Sequence, residues 1–130
     1  MDTTKEYIKM CEKAEDIQQL WKQSIGDYDV EPDDYTVCMI TVLSEKAFGT
    51  RDKNSIWLPR QEQLQELVDN IDITISKSET KQWCWWIAED EMGPTKIEFF
   101  DTLEKLWITY VMFNLFSKIW TGRNWIIGKK

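Results

Sequence analysis

Four carboxylates recur at every second position in the stretch "DYDVEPDD": Asp27, Asp29, Glu31 and Asp33, with Asp34 adjoining. Acids at positions one, three, five and seven are how a calcium-binding loop presents its oxygens. Such a loop also needs glycine at its sixth position, for the sharp turn, and a bidentate glutamate at its twelfth. Here those positions hold Pro32 and Cys38, so calcium binding is not the chemistry this spacing predicts. The net charge of −5 over residues 27–34 has two other readings. One is a solvated acidic loop. The other is a negative patch, made by Asp27, Asp29, Glu31, Asp33 and Asp34, that meets a basic protein surface or imitates nucleic-acid phosphates.

A second concentration of chemistry-bearing residues is "KQWCWWIAED", residues 81–90. In a strand, Trp83, Trp85 and Ile87 point one way and Cys84, Trp86 and Ala88 the other. Neither face is polar, so the strand calls for cover on both sides, and the first reading is a core strand between two helices. Trp86, flanked by small Cys84 and Ala88, also fits a cleft wall or a partner-binding anchor.

Catalysis finds little footing. The chain has no histidine, which removes the commonest general base and metal ligand. It also lacks a nucleophile elbow, a phosphate-binding glycine loop and a zinc-protease motif. Cys11, Cys38 and Cys84 are widely spaced, form no CxxC pair and have apolar neighbours, which reads as buried free thiols in a reducing cytosol. No cofactor and no metal are expected.

Charge is unevenly distributed. Residues 1–104 carry all 23 acids against 11 bases, net −12, while residues 105–130 carry five bases and no acid. The acidic majority repels phosphate backbones and disfavours nucleic acid as a partner. The longest mainly apolar run, Leu106 to Phe116, is too short to span a bilayer, which takes about 20 residues. The expectation is a cytoplasmic protein whose partner is another protein.

The elements that would position these residues follow from periodicity. Tyr7, Met10, Ala14, Ile17 and Trp21 recur at 3-4-3-4 intervals, predicting one amphipathic helix over 4–24, with Thr3 and Glu6 at capping-box spacing. "TVCMITVL", 36–43, reads as an interior strand. Pro59 suits the first turn of a short helix carrying Leu64, Leu67, Val68 and Ile71 on one face. "ITIS", 73–76, reads as a short strand and 81–88 as a stronger one. Asp101 and Glu104 have capping-box spacing before a helix over 102–120, apolar nearly all round in its middle. Such a helix is either the most buried one or, through Leu106–Phe116, the interface of a homo-oligomer. "RNWII" adds a terminal strand. The fold class expected is α+β: one domain over 1–130, with two long amphipathic helices and one short helix packed on a small, mainly antiparallel sheet.

Several stretches also carry a resemblance. "EYIKMCEKAEDIQ" (6–18), "IGDY" (25–28), "IWLPRQEQLQELV" (56–68), "LEKLWITYVM" (103–112) and "WTGRNW" (120–125) resemble a group of small proteins encoded by bacteriophages and prophages. The "IWLPRQxQLQEL" element is the most specific of them. The resemblance implies a phage or prophage origin and brings no activity and no catalytic residues. With the acidic segment and the lack of catalytic motifs, it points to an accessory protein that binds another protein, such as a host factor or defence nuclease. The alternatives are an assembly component of a phage particle and a ligand binder or enzyme with a cleft near Trp86.

Overall fold

The computed structural model describes residues 1–41, 55–68, 74–80, 82–86 and 99–128, with Thr74 and Trp86 as backbone alone. Its centre is helix α4, Leu103–Phe116. Eight consecutive residues, Lys105 to Met112, are buried, which is what a helix apolar on every side requires. Helix α1 (Lys5–Lys13), helix α3 (Gln61–Glu66) and strands β5 (Trp83–Trp86) and β6 (Lys118–Trp120) surround it. The stretch Leu106–Phe116, expected as the interface of a homo-oligomer, is buried over most of its length within this chain. Residues 106–112 are spent on the chain's own core, and in the last turn Leu115 is exposed.

Both long helices differ from their sequence reading. The first is α1, a break at Ala14 (φ −85, ψ 65), then one short turn, α2, Glu15–Gln18. The Gln18 side chain stabilises the break, its Nε2 donating to the Cys11 carbonyl at 3.0 Å. The last helix stops at Ser117, which lies in the left-handed region at φ 54, and not at Trp120. Residues 118–120 are instead β6, paired antiparallel with β7, Trp125–Ile127. Gly122, at φ 97 in the connecting turn, adopts a conformation that side chains resist.

The caps sit one residue later than the capping-box spacing suggests. Thr4 accepts from the Tyr7 N–H and Thr102 from the Lys105 N–H, each at 3.3 Å. One buried carboxylate holds both threonines: Asp2 Oδ1 accepts from the Thr4 hydroxyl at 2.7 Å and Oδ2 from the Thr102 hydroxyl at 2.6 Å. Asp101 serves elsewhere, receiving the buried Lys105 ammonium at 2.8 Å.

A three-stranded antiparallel sheet, order β2-β1-β3, is made by β1 (Tyr28–Val30), β2 (Val37–Met39) and β3 (Ile56–Leu58). Its central strand is the segment read as an acidic loop. The segment read as an interior strand holds β2, the outer strand of this sheet among the described residues. Val30, Ile56 and Leu58 turn to the core, where they join Tyr7, Met10, Ile17, Leu64, Trp107 and Tyr110. Among the described residues, the outer edge of β3 is met by a side chain and not by a strand. Gln18 donates to the Trp57 carbonyl at 2.9 Å and accepts the Trp57 N–H at 2.8 Å, standing in for a fourth strand. Pro59 precedes the N-cap Arg60 of α3 instead of opening the helix, and its carbonyl accepts from the Tyr7 hydroxyl at 2.6 Å.

Strands β4 (Thr74–Lys77) and β5 form a separate antiparallel pair. The fold is a mixture of helices with small antiparallel sheets, α+β in class. Among the described residues, no helix is long and apolar enough to cross a membrane.

Candidate functional site

The five acids of 27–34 do not share a surface. Asp27 and Asp29 are completely buried, Glu31 is half-buried, and Asp33 and Asp34 are exposed. Alternation along a strand explains part of this, and the end of the strand explains the rest.

Asp27 is a structural hub. Its Oδ2 accepts from the Trp21 indole N–H and the Ser24 backbone N–H, both at 2.9 Å. Its Oδ1 accepts from Gln63 Nε2 at 2.6 Å and lies 3.8 Å from Arg60 Nη1. The same guanidinium donates to the Gly26 carbonyl at 2.5 Å, and the Arg60 N–H donates to Gln63 Oε1 at 2.9 Å. A buried carboxylate with this many donors is satisfied where it stands. Asp29 lies in register between Cys38 and Trp57 on the sheet face away from Val30, and Trp57 is stacked on Trp21 with ring centres 6.0 Å apart. Neither Asp27 nor Asp29 can face a partner in this fold, which corrects their assignment to a surface patch.

What reaches solvent is the β1–β2 turn, Glu31 to Thr36. The Glu31 N–H donates to the Thr36 carbonyl at 3.0 Å, and the Tyr35 N–H to the Glu31 carbonyl at 2.8 Å. The Thr36 N–H donates to Asp34 Oδ1 at 3.0 Å and holds that carboxyl below the usual carboxylate range. The turn closes through Tyr35 at φ 57. A bulky residue there is strained, and glycine or asparagine is the ordinary choice. The residue is 53% exposed, so the strained turn presents an aromatic ring to water beside Asp33 and Asp34. Sequence reasoning singled out the acids and missed Tyr35. The signal was available: a four-residue hairpin loop opened by Pro32 whose last position is not glycine.

No family model, no curated protein and no solved structure matches the chain.

The tryptophan strand is held by its partners. Trp85 donates from Nε1 to the Thr109 hydroxyl at 3.0 Å and sets its ring 5.2 Å from that of Tyr110 and 5.4 Å from that of Phe113. Helix α4 therefore covers the Trp85 face as expected, whereas α1 lies against β3 and α4. Cys84, on the opposite face, is buried. The Trp86 backbone pairs with Thr74, while its side chain, and with it the cleft expected there, lies outside the described residues. All three cysteines carry free thiols, and Cys38 is the half-buried one. Burial, reinforced by nearby Asp2, pushes the Cys11 thiol far up. It is a packing group and not a nucleophile.

Proposed function

We propose that this protein is a non-enzymatic accessory protein of phage or prophage origin that binds a basic surface of another protein through its β1–β2 turn. The observation that carries the reading is Tyr35, an exposed aromatic ring at φ 57 with Asp33 and Asp34 beside it. Non-glycine residues persist in strained backbone only where the surroundings enforce it, and such positions gather at binding sites. Tyrosine is a frequent hot spot because it adds much contact area with little side-chain entropy. Flanking carboxylates steer encounter and select a cationic partner. The resemblance of 6–18, 56–68 and 103–112 to phage-encoded proteins supports the origin, and a host factor or defence nuclease is the class of target that such an origin suggests.

The test is affinity capture from host lysate with four baits: the parent, Tyr35→Gly, Asp33→Asn/Asp34→Asn, and a control neutralising Glu12 of α1 and Glu15 of α2. The expected result is one basic protein retained by parent and control and lost from both turn variants. A protein captured equally by all four would show that the turn is not the contact. A partner lost from the control as well would reduce the effect to net charge.

A further inference from the structure

We propose that the outer edge of β7 accepts an extended, acidic segment of a partner protein as an added strand. The hairpin register determines which backbone groups are free. Ile119 is paired with Ile126, the Thr121 N–H donates to the Asn124 carbonyl at 3.0 Å, and the Gly128 N–H to the Ser117 carbonyl at 2.7 Å. Residues 124, 126 and 128 thus turn their backbone toward β6. The intervening Trp125 and Ile127 turn theirs outward, where no backbone group among the described residues meets them. A free row of this kind is what strand addition uses.

The side chains beside this edge fit an apolar, extended ligand. Trp125 is anchored inward by its Nε1, which donates to the Met10 carbonyl at 2.9 Å. Ile126 and Ile127 are 48% and 80% exposed. Ile119, the cross-strand partner of Ile126, and Leu115 on the preceding helix are exposed as well. Charge selects the occupant. The hairpin tip is basic: Arg123 is exposed, and Lys9 Nζ reaches the Gly122 carbonyl at 3.4 Å. In sequence Arg123 precedes β7, and Lys129 and Lys130 follow it. A second copy of this hairpin brings no acid to Arg123 and Lys9, since residues 105–130 contain none, whereas an acid at the end of a partner strand would meet opposite charge there. This surface is separate from the β1–β2 turn and does not depend on its role.

The experiment uses a fluorescein-labelled heptapeptide of alternating isoleucine and threonine with aspartates at both ends, titrated by fluorescence anisotropy. A second peptide carries lysines in place of the aspartates. Ile127→Pro removes one outward N–H and leaves every β6–β7 bond in place, so it should melt with the parent. Expected are saturable binding of the acidic peptide, binding weaker by about tenfold or more for the lysine peptide, and a similar loss for Ile127→Pro. Should that variant unfold, N-methylation of alternate amides in the acidic peptide makes the same test on the parent protein. No binding by the acidic peptide, equal binding by the lysine peptide, or indifference to both backbone blocks overturns the proposal. So does sedimentation revealing a dimer that Ile127→Pro dissolves, since the occupant would then be a second copy.

Discussion

At the scale of single residues, the acidic segment separates into structural and surface carboxylates. Replacing Asp27 by Ala strands the Trp21 indole N–H, the Gln63 amide and the Arg60 guanidinium around an emptied site. Losing charge-assisted bonds from a buried position costs about 3 kcal/mol, and urea denaturation should move the midpoint accordingly. Asp33→Asn should stay within about 0.5 kcal/mol of the parent, as exposed substitutions usually do. Tyr35→Gly should behave oppositely. Relief of left-handed strain outweighs the added chain entropy of glycine, so stability should rise by about 0.5–1 kcal/mol while capture of the partner falls. A variant that gains stability and loses binding is the signature of a position strained for function. Loss of stability in Tyr35→Gly would mean that the ring packs and does not present.

At the scale of elements, side chains far apart in sequence begin, break and protect the helices and strands. Asp2 joins the N-caps of α1 and α4, so Asp2→Ala releases two threonine hydroxyls together. Each cap contributes about 1 kcal/mol. The loss should reach about 2–3 kcal/mol, and amide exchange should quicken in the first turns of both helices at once. Quickening in α1 alone would show that Thr102 caps unaided. Gln18→Leu is the corresponding test for the sheet. It leaves both backbone groups of Trp57 unpaired, at about 1–3 kcal/mol each, while the Cys11 carbonyl keeps only the Ala14 N–H. The variant should also aggregate more readily, because it uncovers the edge of β3.

The whole molecule responds to pH through groups that the fold keeps protonated. Burial, with the Cys11 and acidic charges nearby, raises the Tyr7 hydroxyl well above its ordinary value, and burial raises the Cys11 thiol. For Lys105, burial works against the charge. The Asp101 hydrogen bond and the charges of Glu6 and Asp2 outweigh it and hold the ammonium above the ordinary lysine value. All three pKa values are raised in the folded state, so each contribution is complete below the unfolded value and is lost as pH rises through the folded one. Unfolded thiols titrate near about 8.5, phenols near about 10 and lysines near about 10.4. The melting temperature should therefore begin to fall above about pH 8.5 and steepen beyond about pH 10. Cys11→Ala should flatten the first limb, between about pH 8.5 and 10, whatever it does to the neutral-pH baseline. A parent that melts identically at pH 7 and pH 10 would contradict the burial of Cys11.

The amino-acid sequence determined by itself whatever depends on local pattern. The apolar repeat from Tyr7 to Ile17 gave α1, an unbroken apolar run gave the buried middle of α4, Pro59 gave an extended Leu58 followed by a helix, and the alternation around Trp85 gave β5. Those signals reflect spacing between neighbours, which survives without knowing the fold. Tertiary structure decided whatever depends on a distant partner. Asp27 and Asp29 look solvated in a run of acids, yet Gln63 and Arg60, more than thirty positions away, help make burial tolerable for Asp27. The predicted first helix breaks at Ala14, where Gln18 ties the Cys11 carbonyl to the edge of β3. Residues 118–120 are helix by periodicity and strand in fact, because Trp120 and Trp125 pack as a cross-strand pair, ring centres 5.1 Å apart. Short segments with weak intrinsic preference take whichever conformation lets them bury their aromatic rings, and only the assembled core determines which that is.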